Sequence, residues 1–133
     1  MHKIEHIGIA VRNLANSIPV YEKLLNCQCY KTELVESEGV MTAFFRVGES
    51  KIELLEGLRP DGIIAKFINS RGEGVHHIAF SVDDLQSEIQ RLEAEGFEFI
   101  NRIARPGADN KMVCFLHPKS TAGILVELCM DKE

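Results

Sequence analysis

The stretch that decides the fold occurs twice: residues 4–18 read IEHIGIAVRNLANSI and residues 75–89 read VHHIAFSVDDLQSEI. Five of the 15 aligned positions are identical at a constant offset of 71 residues, and one identity pairs His6 with His77. Such self-similarity predicts two copies of one supersecondary unit. Because the chain has only 133 residues, each half is too small to be stable alone, and the copies are predicted to share one domain.

The ends of the two copies also correspond. The segment KIELL at residues 51–55 matches LVELC at residues 125–129, which pairs Glu53 with Glu127 at an offset of 74. The three additional residues in the second copy fit a longer loop at residues 117–123. Both a histidine and a glutamate are therefore repeated at equivalent positions.

Each copy is predicted to fold as βαβββ, because alternating apolar residues give way to a helical apolar stripe and then to three short strand patterns. Asn13 and Asp84 are predicted to cap the two helices. Pro19 is expected near the first turn of the first helix, where its missing N–H costs little. The predicted strands are residues 4–11, 28–34, 40–47 and 51–55, then 75–82, 97–101, 112–116 and 124–129.

The predicted fold class is α+β, with two βαβββ modules related by pseudo-twofold symmetry and helices that cover one side only. We expect a single domain over residues 1–133, with module one at about residues 1–58 and module two at about residues 74–131. The linker between them, at about residues 59–73, is predicted to contain a short helix from Ile63 to Asn69.

Composition narrows the class of protein. The chain is 45% hydrophobic and carries a net charge of −5, which is typical of a soluble globular protein and disfavours a nucleic-acid footprint. No apolar run is long enough to cross a bilayer and no signal peptide is recognisable, so a cytoplasmic protein without membrane association is expected.

The four cysteines are predicted to be buried free thiols, because their spacing does not fit a zinc site.

The repeated histidines and glutamates predict a metal site. On each first strand the histidine shares a face with small residues, while the bulky residues face the helix. A carboxylate in an apolar strand is costly to bury unless it is paired or binds a metal. A lone strand histidine or glutamate is usually hydrogen-bonded or solvated, but four in matching register favour one divalent Co, Ni, Mn or Zn ion. The predicted ligands are His6, Glu53, His77 and Glu127.

The repeat and its ligands resemble the vicinal oxygen chelate (glyoxalase/bleomycin resistance) superfamily, over nearly the whole chain. This resemblance implies that the two modules form a cupped mixed sheet around a metal site. Within this superfamily, several stretches are similar to the methylmalonyl-CoA epimerase family. The most specific is LHPKSTAGILVEL at residues 116–128; the others are HIGIAV at 6–11, KIELLE at 51–56 and the run from IAKFI at 64–68 through GEGVHHIAF at 72–80.

The resemblance implies roles for particular residues. It implies that the four predicted ligands bind the metal and that Glu127 also acts as an acid/base group. The second family carboxylate falls near Ser37, so Glu38 or Glu36 is expected to serve on the opposite face of the substrate. Contacts with the coenzyme A tail are expected from Lys119 and Ser120.

The expected activity is metal-dependent interconversion of the two C2 epimers of methylmalonyl-CoA, by proton abstraction alpha to the thioester through a metal-stabilised enolate. The alternative enzyme is lactoylglutathione lyase (glyoxalase I), which would use the same ligands on the hemithioacetal of methylglyoxal and glutathione. A second alternative is a non-catalytic small-molecule binding protein of the same fold. The resemblance also implies a homodimer.

Overall fold

A computed structural model describes residues 1–132. Contacts divide the chain into two compact units: one contains residues His6–His76, and the other contains Met1–Glu5 together with the chain from His77 onward. The elements are β1 (Lys3–Ala10), α1 (Leu14–Leu25), β2 (Lys31–Val35), β3 (Val40–Val47), β4 (Ser50–Gly57), α2 (Ile63–Arg71), β5 (Gly74–Ser81), α3 (Leu85–Ala94), β6 (Arg105–Pro106), β7 (Lys111–Leu116), a 3₁₀ turn (Pro118–Ser120) and β8 (Val126–Asp131).

The element order confirms the predicted α+β class and the repeated βαβββ pattern. In the first unit the strand order is β2-β3-β4-β1, and β1 runs parallel to β4 while the other neighbours are antiparallel. In the second unit the order is β5-β8-β7-β6, and β5 runs parallel to β8. The strand pairing within each unit is therefore mixed, as predicted, and the linker helix α2 is also confirmed.

Each unit buries the apolar stripe of its helix, as the sequence predicts. In the first unit Leu14, Ile18, Tyr21 and Leu25 of α1 pack with residues of β1, β3 and β4. In the second unit the three buried residues of α3 pack against β7 and β8; they are Leu85, Ile89 and Leu92. The predicted caps are present, since Asn13 accepts a hydrogen bond from the Asn16 N–H and Asp84 accepts from Gln86 and Ser87.

Two local predictions are wrong. Pro19 is the sixth residue of α1, not part of its first turn. Its ring is exposed, and the carbonyl that loses a donor belongs to the exposed Ala15, so water can satisfy that carbonyl. Burial of the four stripe residues keeps the helix intact through the proline.

The predicted strand at residues 97–101 is not continuous. Phe99 makes only an isolated bridge with Leu116, and the edge strand of this unit is the two-residue β6 further along. The Glu98 N–H instead donates to the hydroxyl of Ser120. The Ser120 hydroxyl therefore accepts a hydrogen bond that a backbone carbonyl would accept in a regular antiparallel ladder.

No helix within residues 1–132 is both long enough and apolar enough to span a membrane.

Candidate metal centre and active site

His6 and Glu53 form a buried pair in the first unit. Strand β1 lies parallel to β4, and the register that pairs Gly8 with Glu53 puts the carboxylate on the same face as His6. The His6 Nε2 and Glu53 Oε1 atoms are 3.2 Å apart. The two residues are 6% and 3% exposed, so the pair is almost fully removed from water.

His77 and Glu127 repeat this arrangement in the second unit. Strand β5 lies parallel to β8, and Ala79 is the register partner of Glu127. The His77 Nε2 and Glu127 Oε1 atoms are 3.3 Å apart, and the residues are 4% and 5% exposed. The two histidine–glutamate pairs at repeat-equivalent positions therefore have the same contact between Nε2 and Oε1.

A phenylalanine accompanies each glutamate. On β3 Phe44 is the register partner of Glu53, and on β7 Phe115 is the register partner of Glu127. The Phe115 ring meets the His77 ring edge-on, with centroids 6.0 Å apart and planes at 84°. Sequence reasoning missed these aromatics, although they carry the same offset of 71 as the histidines. Their rings border the pairs with apolar surface.

Each pair fits a transition-metal ligand set. A neutral imidazole nitrogen and a carboxylate oxygen are ordinary ligands of such ions, at about 2.0–2.2 Å. Two ligands at that distance from one ion stand roughly 3.0 Å apart at a right angle and roughly 3.4 Å apart at a tetrahedral angle. The observed separations of 3.2 and 3.3 Å lie between these values. The geometry within each pair therefore suits one nitrogen ligand and one oxygen ligand of a metal ion.

The candidate second base lies in a tight turn between β2 and β3. The Glu38 N–H donates to the carbonyl of Val35, and the Gly39 N–H donates to the carbonyl of Glu36. Glu36 is exposed and Glu38 is half-buried. The two carboxylates predicted from sequence thus lie in one turn and differ in their exposure to solvent.

The candidate coenzyme A residues lie in the second unit, on the loop between β7 and β8. Lys119 and Ser120 line a cavity of about 370 Å³ with residues 95–98. The Lys119 ammonium lies 2.7 Å from the Glu98 carboxylate, and this hydrogen bond holds the pKa of Glu98 below its usual value. The Ser120 hydroxyl accepts from the Glu98 N–H. Both predicted residues therefore also bind the loop that faces them.

Two carboxylates, one of them in the linker at residues 72–74, accept backbone hydrogen bonds near the start of α1. The Glu73 carboxylate accepts the N–H of Arg12 at 2.8 Å, and the Glu56 carboxylate accepts the N–H of Leu14 at 2.7 Å. The Glu56 carboxylate satisfies the first N–H of α1, which the helix cannot satisfy internally, and it complements the helix dipole. The Glu73 carboxylate binds the backbone two residues before α1 begins.

All four cysteines are free thiols, as predicted. Cys114 and Cys129 are buried, as predicted, whereas the predicted burial of Cys27 and Cys29 is wrong, because both are half-buried. Burial raises the pKa of the Cys114 thiol to about 12, and the charge of Glu127 contributes to the same shift. Cys114 is therefore an inert core residue and not a nucleophile.

Comparison with known protein families identifies the superfamily of the chain. Residues 5–115 match the model of the glyoxalase/bleomycin resistance protein/dioxygenase superfamily, and the chain belongs to this superfamily. The resemblance predicted from sequence is confirmed.

Particular relatives narrow the comparison. The chain is 39% identical over 132 residues to the uncharacterised protein YqjC of Bacillus subtilis, covering 99% of this chain and 94% of that protein. It is 33% identical over 127 residues to human mitochondrial methylmalonyl-CoA epimerase, covering 95% of this chain and 72% of that protein. It also matches the structure of a Streptomyces coelicolor methylmalonyl-CoA epimerase variant in complex with 2-nitronate-propionyl-CoA, with a TM-score of 0.93, 32% identity and coverage of 98% and 95%.

Proposed function

We propose that this protein is an acyl-CoA epimerase that interconverts the two C2 epimers of methylmalonyl-CoA. The observation that carries the proposal is the repeated, buried His–Glu pair on a fold shared with methylmalonyl-CoA epimerases. The similarity to the human enzyme and to the Streptomyces coelicolor structure with its acyl-CoA analogue supports the same substrate class.

His6, Glu53, His77 and Glu127 are the proposed ligands of one divalent Co, Ni, Mn or Zn ion. The proposal is supported by the chemistry of the donors, because each pair places an imidazole nitrogen within 3.3 Å of a carboxylate oxygen. Such an ion would supply Lewis-acid stabilisation of the negative charge that develops on the thioester oxygen. The apolar rings beside the pairs limit access of water, which strengthens electrostatic interactions there.

Glu127 is the proposed acid/base group on one face of the substrate. Its role is to take the proton from C2 or to return it, and burial at 5% exposure keeps this exchange away from bulk water. Epimerisation requires a second group on the opposite face. Glu38 is the better supported candidate, because it is half-buried whereas Glu36 is exposed.

Lys119 and Ser120 are the proposed contacts for the coenzyme A tail. The cavity that they line carries a cation on a protein with a net charge of −5, and phosphate groups require such a cation. A phosphate would replace the Glu98 carboxylate as the partner of Lys119. Lys119→Ala is therefore expected to raise KM more than it lowers kcat.

One experiment separates the candidate reactions. The metal-loaded protein is incubated in heavy water with methylmalonyl-CoA, and in parallel with methylglyoxal and glutathione. Deuterium at C2 without lactoylglutathione formation supports the epimerase, whereas the reverse result identifies a lactoylglutathione lyase. Binding of either substrate without any turnover favours a small-molecule binding protein and refutes the proposal.

A further inference from the structure

The side chain of Arg59 lies against the turn that carries the candidate second base. This turn between β2 and β3 ends at Gly39, which has a φ of 66° and is buried, although Glu36 and Ser37 before it are exposed. A Cβ atom added to Gly39 would lie 2.6 Å from Nη2 of Arg59 and 3.2 Å from its Cζ. The guanidinium thus fills the space that a side chain at residue 39 would occupy.

Backbone hydrogen bonds join Arg59 to this turn. The Leu58 N–H donates to the carbonyl of Gly39 at 2.9 Å, which extends the antiparallel pairing of β3 with β4 by one hydrogen bond. The Arg59 carbonyl accepts the Gly62 N–H at 3.1 Å, so a second turn begins at Arg59. Both turns belong to the first unit. The segment that bears the guanidinium is therefore tied to the turn that the guanidinium covers.

The position of Glu38 depends on the conformation of its neighbour Gly39. Glycine adopts positive φ about as readily as negative φ, so the backbone at this residue has more than one accessible conformation. A guanidinium packed against Gly39 limits this freedom, because the backbone cannot move into the space that the guanidinium fills. Arg59 thereby restricts where the half-buried Glu38 can lie.

We propose that Arg59 is a positioning residue of the epimerase, which holds Glu38 where it exchanges a proton with C2 by packing over Gly39. This assignment rests on the proposed function, because it requires Glu38 to be the second acid/base group. Glu38 takes the proton from C2 while the electrons of the C–H bond move to the thioester oxygen, and the reverse step returns a proton to C2. Arg59 itself transfers no proton.

The test uses the two epimers of methylmalonyl-CoA separately, since each presents its C2 proton to a different base. Initial rates of inversion by the metal-loaded protein are followed by circular dichroism, with hydrogen or deuterium at C2. In Arg59→Met, kcat and kcat/KM are expected to fall together by about tenfold or more, because a misplacement of about 1 Å can cost about 100-fold. A slower step at Glu38 should raise the substrate isotope effect for one epimer and lower it for the other.

Two arginine variants provide the controls for charge and shape. Arg46 is another exposed arginine of the first unit, and its guanidinium lies 4.3 Å from the centre of the Tyr30 ring. Arg46→Met removes the same charge without altering the turn, so its rates and isotope effects should equal those of the wild-type protein. Arg59→Lys keeps a long side chain and its charge, and it should restore part of the rate lost in Arg59→Met.

A pair of glycines tests the contact from the other side. Gly48 has a φ of 61°, close to that of Gly39, but a Cβ added to it would meet no atom of the described residues within 4 Å. Gly39→Ala should displace the guanidinium and reproduce the changes seen in Arg59→Met, whereas Gly48→Ala introduces similar backbone strain and should leave the rates unchanged. Gly39→Ala should have a smaller effect when Arg59→Met is already present.

The results that overturn the assignment are distinct from those that refute the reaction. An unchanged rate in folded Arg59→Met protein overturns the role of Arg59, and so does a slower rate with equal changes of the isotope effect for both epimers. An equal loss in Arg46→Met also overturns it. In each of these cases an active wild-type protein leaves the proposed function intact. Wild-type protein that inverts neither epimer refutes the proposed function and the role of Arg59 with it.

Discussion

Glutamine substitutions at Glu53 and Glu127 should separate metal ligation from proton transfer. The two glutamates are equivalent in geometry: each lies 3.2 or 3.3 Å from its histidine and is at most 5% exposed. Glutamine keeps the shape and one carbonyl oxygen but removes the charge. The two variants therefore lose the same charge from equally buried pairs, and only Glu127→Gln also loses the proposed base.

The expected magnitudes follow from these two roles. Loss of a carboxylate at a metal site weakens metal binding by at least about 10–100-fold, and this effect is common to both variants. Loss of a general base costs a further factor of about 10²–10⁴ in rate. At saturating metal, Glu127→Gln should therefore exchange the C2 proton at least about 100-fold more slowly than Glu53→Gln.

The assay is deuterium incorporation at C2 of methylmalonyl-CoA, followed by mass spectrometry during titration with the metal ion. A parallel calorimetric titration measures the metal affinity of each variant. If both variants lose the same exchange activity once metal is saturating, Glu127 has no role beyond that of Glu53, and the assignment of the base is wrong.

Two further predictions test the fold around the site. With a thiol pKa of about 12, only about one Cys114 thiol in 10⁴ is ionised at pH 8. Maleimide should therefore label Cys27 and Cys29 in the native protein and should label Cys114 only in denaturant. Rapid labelling of Cys114 in the native protein, detected by peptide mass spectrometry, would contradict its burial. Ala122 is exposed and has a φ of 58°, so Ala122→Gly should stabilise the protein by about 1 kcal/mol and raise Tm by about 3 °C. The control substitution Ala15→Gly in α1 should destabilise the protein by about 0.5–1 kcal/mol. If calorimetric melting shows changes of the same sign for both variants, the left-handed conformation of Ala122 is contradicted.

The features that sequence predicts well are those that depend on local periodicity and on the repeat. The apolar stripes fix which face of α1 and α3 is buried, and alternation on β1 and β5 separates His6 and His77 from the core residues. The offset between copies then identifies Glu53 and Glu127 as equivalent. The parallel pairing of β1 with β4 and of β5 with β8, which brings each glutamate beside its histidine, is found only in the structure.

The features that sequence misses depend on which loops meet. Residues 97–101 have a strand pattern, but the Ser120 hydroxyl competes for a backbone donor in that segment. The sequence predicts Lys119 as a contact for the coenzyme A tail, whereas its pairing with Glu98 depends on two loops that are distant in sequence and meet in the structure. Contacts between side chains of different loops leave no periodic pattern in the sequence, so they are found only in the structure.

The central claim is that this chain moves the proton at C2 of a methylmalonyl thioester. The most direct measurement is the NMR spectrum of methylmalonyl-CoA after incubation in heavy water with the metal-loaded protein and with the Glu127→Gln variant. We predict that the wild-type protein replaces the C2 proton with deuterium at least about 100-fold faster than the variant. Retention of the C2 proton at the uncatalysed rate with the wild-type protein would contradict the claim.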